Sequence, residues 1–295
     1  MKATISVDMD TLNDYANTYS IKYLKNPDPS YTIAIQRLLD LLNKYNIKAT
    51  FFVIGKDLNV KEHLKIIRLI KNQGHEIANH TQNHFIHFEK LSDEDQKQEI
   101  LECHKLVKEK LGIDMKGFRA PGYNLNTHTF ETLAKNNYFY DSSIFPTILL
   151  PVFKMAIIMR SRGKFKSSGG GKIKNVFSKD SPYLIKKLKL LEIPISVTPV
   201  FKLPFMGTFN VVAGEELMKL NLWLLKAFSK DINYEIHPIE FLDFTKDRIP
   251  KEFSRHPGIS IPLNKKIKLY KSLFKSFKDN YDIVTMYNFS KQFLV

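Results

Sequence analysis

Short apolar runs alternate with amphipathic stretches along most of this chain. Ala3 to Val7 reads as a strand, and Ala49 to Ile54, apolar almost throughout, as a second buried one. Between them Ile33 to Tyr45 places Ile35, Leu38, Leu39 and Leu42 on one side of a helix. Glu62 to Asn72 is a helix stopped by Gly74, and His75 to Ala78 is a short third strand. A long helix runs from Asp93 to Leu111, with Ser92 before it and acids in its first turn. Strands at Gly117 to Arg119 and Tyr138 to Asp141 flank a helix over Thr127 to Asn136. The rhythm resumes with strands at Leu190 to Pro194, Tyr234 to His237 and Asp282 to Thr285. Helices over Glu215 to Ser229 and Leu263 to Phe277 separate them.

Repeated βα units predict an α/β fold with a parallel sheet. About seven of them predict a distorted or incomplete (β/α) barrel of about seven parallel strands. No repeat or linker divides the chain, so residues 1–295 form one domain with an insertion over residues 144–187. The insertion is where the rhythm breaks. Ile144 to Met159 is mostly apolar, and Arg160, Arg162, Lys164, Lys166, Lys172 and Lys174 follow around Gly169-Gly170-Gly171. No GxxxxGK[ST] phosphate loop is present. An apolar stretch too short to span, followed by a basic cluster, suits an interfacial membrane contact.

Composition adds three constraints. The net charge is +15, which favours a polyanionic partner such as an anionic membrane surface. No nucleic-acid-binding motif accompanies it, so nucleic acid is not the expected partner. The single cysteine, Cys103, excludes an intramolecular disulfide framework and reads as packing in a helix. The N-terminus has no apolar stretch of signal-peptide length and no run reaches the ~20 residues of a span, so the expected location is cytoplasmic.

The candidate chemistry falls at predicted strand C-termini, where α/β barrels build their sites. Asp8 and Asp10 close the first strand, two positions apart and therefore on one face. His80 and His84 follow the third strand in Asn79-His80-Thr81-Gln82-Asn83-His84. A carboxylate and two imidazoles satisfy a divalent metal with a position left for water, and a second carboxylate can act as base. Each motif alone is weak. Together in one α/β chain they point to metal-assisted hydrolysis.

Three further segments occupy later strand ends: Arg119-Ala120-Pro121-Gly122-Tyr123, Tyr140-Asp141-Ser142-Ser143 and Glu235-Ile236-His237-Pro238. With them the chain resembles the polysaccharide deacetylase family, the NodB homology domain of carbohydrate esterase family 4. The likeness covers about residues 1 to 145 and 188 to 290, and Glu192-Ile193-Pro194 is similar to a strand segment of these enzymes. The resemblance implies that Asp8 is the catalytic base and that Asp10, His80 and His84 bind a divalent metal, zinc first, with cobalt, manganese or nickel as alternatives. It implies that Thr81 braces the histidine loop and Arg119 orients Asp8. It gives the backbone N–H of Tyr123 to the oxyanion, His237 the role of general acid, and Asp141 that of its tuning partner. The family's first motif usually has adjacent acids, whereas Met9 intervenes here; that spaced form occurs in branches acting on lipid-linked sugars.

The expected function is therefore removal of an N-acetyl or N-formyl group from an amino sugar. A polyprenyl-phosphate-linked precursor of lipopolysaccharide, lipid A or surface glycan is the favoured substrate, with the enzyme peripheral on the inner face of the cytoplasmic membrane. The anionic surface would be met through residues 144–174. A peptidoglycan or exopolysaccharide N-deacetylase and a non-catalytic glycan-binding module are the alternatives. His63, His75, His87, His104, His128 and His256 read as surface or packing, and Trp223 as core or interface.

Overall fold

Burial of both faces of β1 (Lys2–Asp8) organises the molecule. The computed structural model describes residues 1–160 and 173–293. Around β1 stand β2 (Thr50–Val53), β3 (Glu76–Asn79), β4 (Gly117–Phe118), β5 (Tyr140–Asp141), β6 (Tyr183–Ile185), β7 (Leu190–Glu192), β8 (Ile232–Ile236) and β9 (Asp282–Ile283). The order is β6-β7-β5-β4-β3-β2-β1-β8, with β9 also on β1. All pairs are parallel except β6 with β7.

The sheet curls so that β7 approaches β8. Ser196 beyond β7 donates its N–H to Asn233 of β8 at 3.1 Å, and the Ser196 hydroxyl accepts from the Asn233 N–H at 2.8 Å. A few such bonds replace a ladder there, so the barrel is incomplete in the expected way. The strands β1, β2, β3, β4, β5, β7 and β8 are its parallel staves.

Helices α1 (Leu12–Tyr19), α2 (Gln36–Lys44), α3 (Lys61–Asn72), α4 (Asp93–Leu111), α5 (Thr127–Lys135), α6 (Leu150–Arg160), α7 (Gly207–Ala213), α8 (Glu215–Ala227), α9 (Leu263–Asn280) and α10 (Met286–Ser290) complete the described chain. Helix α2 presents Leu38, Leu39, Leu41 and Leu42 to the core. Helix α4 has Ser92 as its N-cap, acids in its first turn and Gly112 in the left-handed region at its end, where a side chain would be strained. Cys103 is buried in α4.

Some expectations shift. The helix expected from Ile33 begins as a wider π-turn at Ser30–Ile35 before α2. The periodicity did not reveal α1, which starts directly after Asp10. Thr11 caps it, accepting from the Asp14 N–H while the Asp14 carboxylate accepts from the Thr11 N–H. Trp223 is exposed on the outside of α8 rather than in the core. Part of the insertion forms α6 and β6. Its basic run over residues 161–172 lies outside the described residues.

Candidate active site

Met9 lies in the main core, so alternation along the chain turns Asp8 and Asp10 the other way, into the mouth of the barrel. His80 follows β3, and the loop behind it is tightly specified. Thr81 takes a positive φ of 66°, rare for a β-branched residue, and His84 one of 59°. The Asn79 carboxamide accepts from the Thr81 N–H at 2.8 Å, and the Thr81 hydroxyl accepts from the His84 N–H at 3.1 Å. Those two bonds hold the strained turn.

Asp10 Oδ1 stands 3.4 Å from His80 Nε2 and 3.2 Å from His84 Nε2. Ligands bound at 2.0–2.1 Å to one tetrahedral ion stand about 3.4 Å apart, so the spacing fits. The Arg119 carbonyl lies 2.7 Å from His80 Nδ1 and can only accept. The Nδ1 therefore carries the proton and leaves the Nε2 lone pair for a cation. Asp10 Oδ1 and His84 Nε2 are buried without a hydrogen-bond partner. Burial alone would raise Asp10, yet His84 and His80 hold it well below the usual carboxylate range. Such a set of acceptors could hold a divalent ion.

Beside it lies Asp8. Arg119, fully buried, donates from Nη1 to Asp8 Oδ1 at 2.5 Å. Its remaining donors reach Ser6 Oγ, Ser142 Oγ and the Ser142 carbonyl, and its guanidinium lies 4.3 Å over the Phe52 ring. Burial pushes Asp8 up, but Arg119, with His80 and His237, outweighs it and keeps the carboxyl ionised.

His237 closes the other side, just past β8. Its Nε2 is 3.2 Å from Glu235 Oε1 and its Nδ1 is 3.6 Å from Glu240 Oε1. Desolvation lowers the imidazole, but Glu240, Glu235, Asp10 and Asp8 overcome it and push it up to about 10. Glu235 is itself pushed up to about 8 by burial and by Asp8, against Arg119 and His237. The Tyr123 hydroxyl donates to Glu235 Oε1 at 2.5 Å. Glu240 accepts from Thr208 at 2.6 Å and from the Tyr270 hydroxyl.

Two expected roles need correction. Asp141 is not the partner of His237, because Glu235 and Glu240 fill that place. Burial raises Asp141, whose oxygens accept from the Ser143 N–H and hydroxyl. It pairs with Glu192, which burial and Asp141 raise further. Two adjacent buried carboxyls keep a proton between them, and Glu192 accepts from the Ile144 N–H at 3.0 Å, so this pair ties β5 to β7. The backbone N–H of Tyr123 is also committed. It donates to the Ala120 carbonyl at 3.1 Å inside the turn Pro121–Tyr123, so it does not face an oxyanion here.

The signal for Glu235 was available: it precedes His237 by two on a strand and so shares its face. Glu240 follows by three in a turn, which periodicity does not read. His256 also belongs near the site. It is buried, with Tyr15 at 5.1 Å between it and His237, in keeping with the packing side of the surface-or-packing expectation. His63 and His75 are structural as expected, accepting from the backbone N–H groups of Asp28 and Ala49.

Buried acceptors that could take a cation, a carboxylate held by arginine and a charged imidazole near it are groups that metal-assisted hydrolysis would use. The family model for polysaccharide deacetylase matches residues 27–140. A peptidoglycan-N-acetylglucosamine deacetylase of Bacillus cereus is 36% identical over 119 residues, 40% of this chain and 53% of that protein. A chitooligosaccharide deacetylase of Sinorhizobium fredii is 34% identical over 82 residues, 28% of this chain and 35% of that protein. The chain thus spans about half or less of the length of these relatives. The structure of a Mycobacterium smegmatis protein described as a polysaccharide deacetylase shares the fold, with a TM-score of 0.63 at 19% identity over 99% of this chain and 89% of that one. Residues 27–140 thus match the polysaccharide deacetylase family, and the fold of the described chain is that of the Mycobacterium smegmatis structure.

Proposed function

We propose that this protein is a divalent-metal-dependent hydrolase that removes an N-acetyl or N-formyl group from an amino sugar. The observation that carries the reading is that Asp8, ionised against Arg119, and His237, charged and flanked by Glu235 and Glu240, lie close together beside the Asp10, His80 and His84 set. One group is poised to take a proton and the other to give one.

Asp10, His80 and His84 would hold the ion, zinc by its preference for this donor set. When bound, it polarises the acyl carbonyl and acidifies water. The chain's own groups do the proton work. Asp8 accepts a proton from water as its oxygen adds to the amide carbon. His237 delivers its Nε2 proton to the nitrogen as the C–N bond breaks, and the products are acetate or formate and the free amine. Arg119, anchored by four hydrogen bonds of which one goes to Asp8, holds Asp8 in place. The base, the acid and the metal-ligand positions are filled by Asp8, His237, Asp10, His80 and His84, which weighs against a non-catalytic glycan-binding module.

A lipid-linked amino sugar at the inner face of the cytoplasmic membrane is our preferred substrate. The spaced Asp8-Met9-Asp10 motif and the +15 charge support it. The second reading, a peptidoglycan or exopolysaccharide N-deacetylase, is favoured by the names of the Bacillus cereus and Helicobacter pylori relatives. Amine release should be measured from polyprenyl-phosphate N-acetylhexosamine, a chitin oligomer and peptidoglycan, with metal and after chelation. Chelator-sensitive turnover of the lipid-linked sugar supports the preferred substrate. Turnover of the polymers alone keeps the chemistry and moves the substrate to the second reading. No amine from any of the three, with metal bound, would sink the deacetylase reading.

A further inference from the structure

Three segments far apart in sequence meet in one apolar lobe. Lys202 ties them. Its carbonyl accepts from the Ile148 N–H at 3.3 Å and the Thr147 hydroxyl at 2.9 Å, and its ammonium donates to the carbonyls of Val176 and Ser178 at 2.8 and 3.0 Å. The lobe therefore gathers Ile148, Phe177, Val200 and Phe201 beside α6, whose Val152, Met155 and Met159 also face outward. Each of these is roughly half or more exposed, and Phe177 reaches 88%. A helix that is apolar on its outer as well as its inner side is not at home in water. So large an apolar surface marks a docking face.

The inner side of α6 shows where the lobe sits. Phe153 stacks on Phe145 at 6.4 Å, and Phe145 meets Tyr123 at 5.3 Å. Tyr123 holds Glu235 in the site. Burial lowers Lys154, and Glu89, which follows the histidine loop, opposes this; Arg160 opposes the effect of burial on Tyr19 and adds to it on His256, beside His237. Helix α6 thus lies across the mouth of the barrel, its outer face turned away from the site.

Charge selects the occupant. From Ile144 to Lys179 the sequence contains no Asp or Glu, while Lys154, Arg160 and Lys179 stand among the described residues of that stretch. An acid-free apolar face with cationic edges complements a surface that is apolar beneath and anionic above. Among the described residues no helix is long and apolar enough to cross a membrane, so the contact is with one leaflet. We propose that the α6 lobe docks this protein on an anionic lipid bilayer with the mouth of the site at the headgroup layer. Docking stands independently of the hydrolase reading. Its consequence, that the amino sugar reaches the site from a membrane-borne carrier, rests on that reading.

The test is co-sedimentation of the full chain with vesicles of phosphatidylcholine alone and of phosphatidylcholine with phosphatidylglycerol. Binding should appear with the anionic vesicles and weaken as salt rises. The double variant Met155→Asp/Phe201→Asp, whose positions are exposed, should bind at least about tenfold less tightly, since apolar burial is lost and charge is added. Lys154→Gln and Arg160→Gln should each cost about fivefold. Thermal melting and bound metal of every variant should match the parent. No binding to anionic vesicles, or equal binding by the double variant, overturns the proposal. Self-association of the parent that the double variant abolishes, without vesicle binding, overturns it in favour of a second copy as occupant. A parent that, with metal bound, releases amine from none of the three substrates named above but binds vesicles through the lobe would sink the hydrolase reading and leave docking intact.

Discussion

Asp10, His80 and His84 come from two short segments that follow neighbouring parts of the sheet, and each side chain is aimed by its own loop. The Thr11 cap starts α1 just beyond Asp10, and the Asn79 and Thr81 bonds fix the histidine turn. His237 is held differently. Its neighbours Glu235 and Glu240 are themselves positioned by Tyr123, Thr208 and Tyr270, from three other places in the chain. One half of the pocket is a local device that leaves acceptors bare for a cation. The other is a long-range network that stores a proton. The first should fail completely when one member is lost, whereas the second should shift its pH response by degrees.

The largest effect should come from the local half. His80→Ala or Asp10→Ala should lose bound metal and roughly a thousandfold or more in turnover, read by metal analysis and by amine release. Retained metal in both variants would break the comparison. Asp8→Asn should come next, with turnover down by about a hundredfold to ten-thousandfold and metal content close to the parent. Asn keeps an oxygen toward Arg119, so the fold should persist. Joint loss of metal and activity would make Asp8 a ligand instead.

Glu240→Gln sharpens the other half. His237 must carry its proton to act as the acid, and its raised value of about 10 keeps it charged through neutral and mildly alkaline pH. Removing a facing carboxylate lowers an imidazole, so the alkaline limb of kcat/KM should move to lower pH, by roughly one unit or more. The acid limb should stay in place. An unmoved alkaline limb would separate Glu240 from His237. The smallest effect should be that of Asp141→Asn, under about threefold in turnover with no movement of either limb, since Asp141 pairs with Glu192 rather than with His237. A displaced alkaline limb there would restore Asp141 as the partner.

Much of the barrel was legible because strand burial and helix amphipathicity leave periodic marks. Strands β1, β2, β3 and β8, and helices α3, α4 and α9, stand within a few residues of their predicted ranges. Helices α1 and α7 were not legible. Helix α1 begins just beyond the Asp8-Met9-Asp10 motif, and α7 is seven residues long, with Thr208 turned to Glu240. Local capping and tertiary contact, not a long apolar stripe, sustain such elements.

By itself the sequence determined the metal side of the pocket. Asp8, Asp10, His80 and His84 lie at strand ends, and two-residue alternation or a short turn decides where they point. Only the tertiary structure decided who faces His237. The Asp141 carboxyl turned instead to Glu192, and the Tyr123 amide was taken by the Ala120 carbonyl. Both outcomes follow from one physical demand: a buried charge or amide binds the nearest group that satisfies it, and nearness across a curled sheet is not written in spacing along the chain.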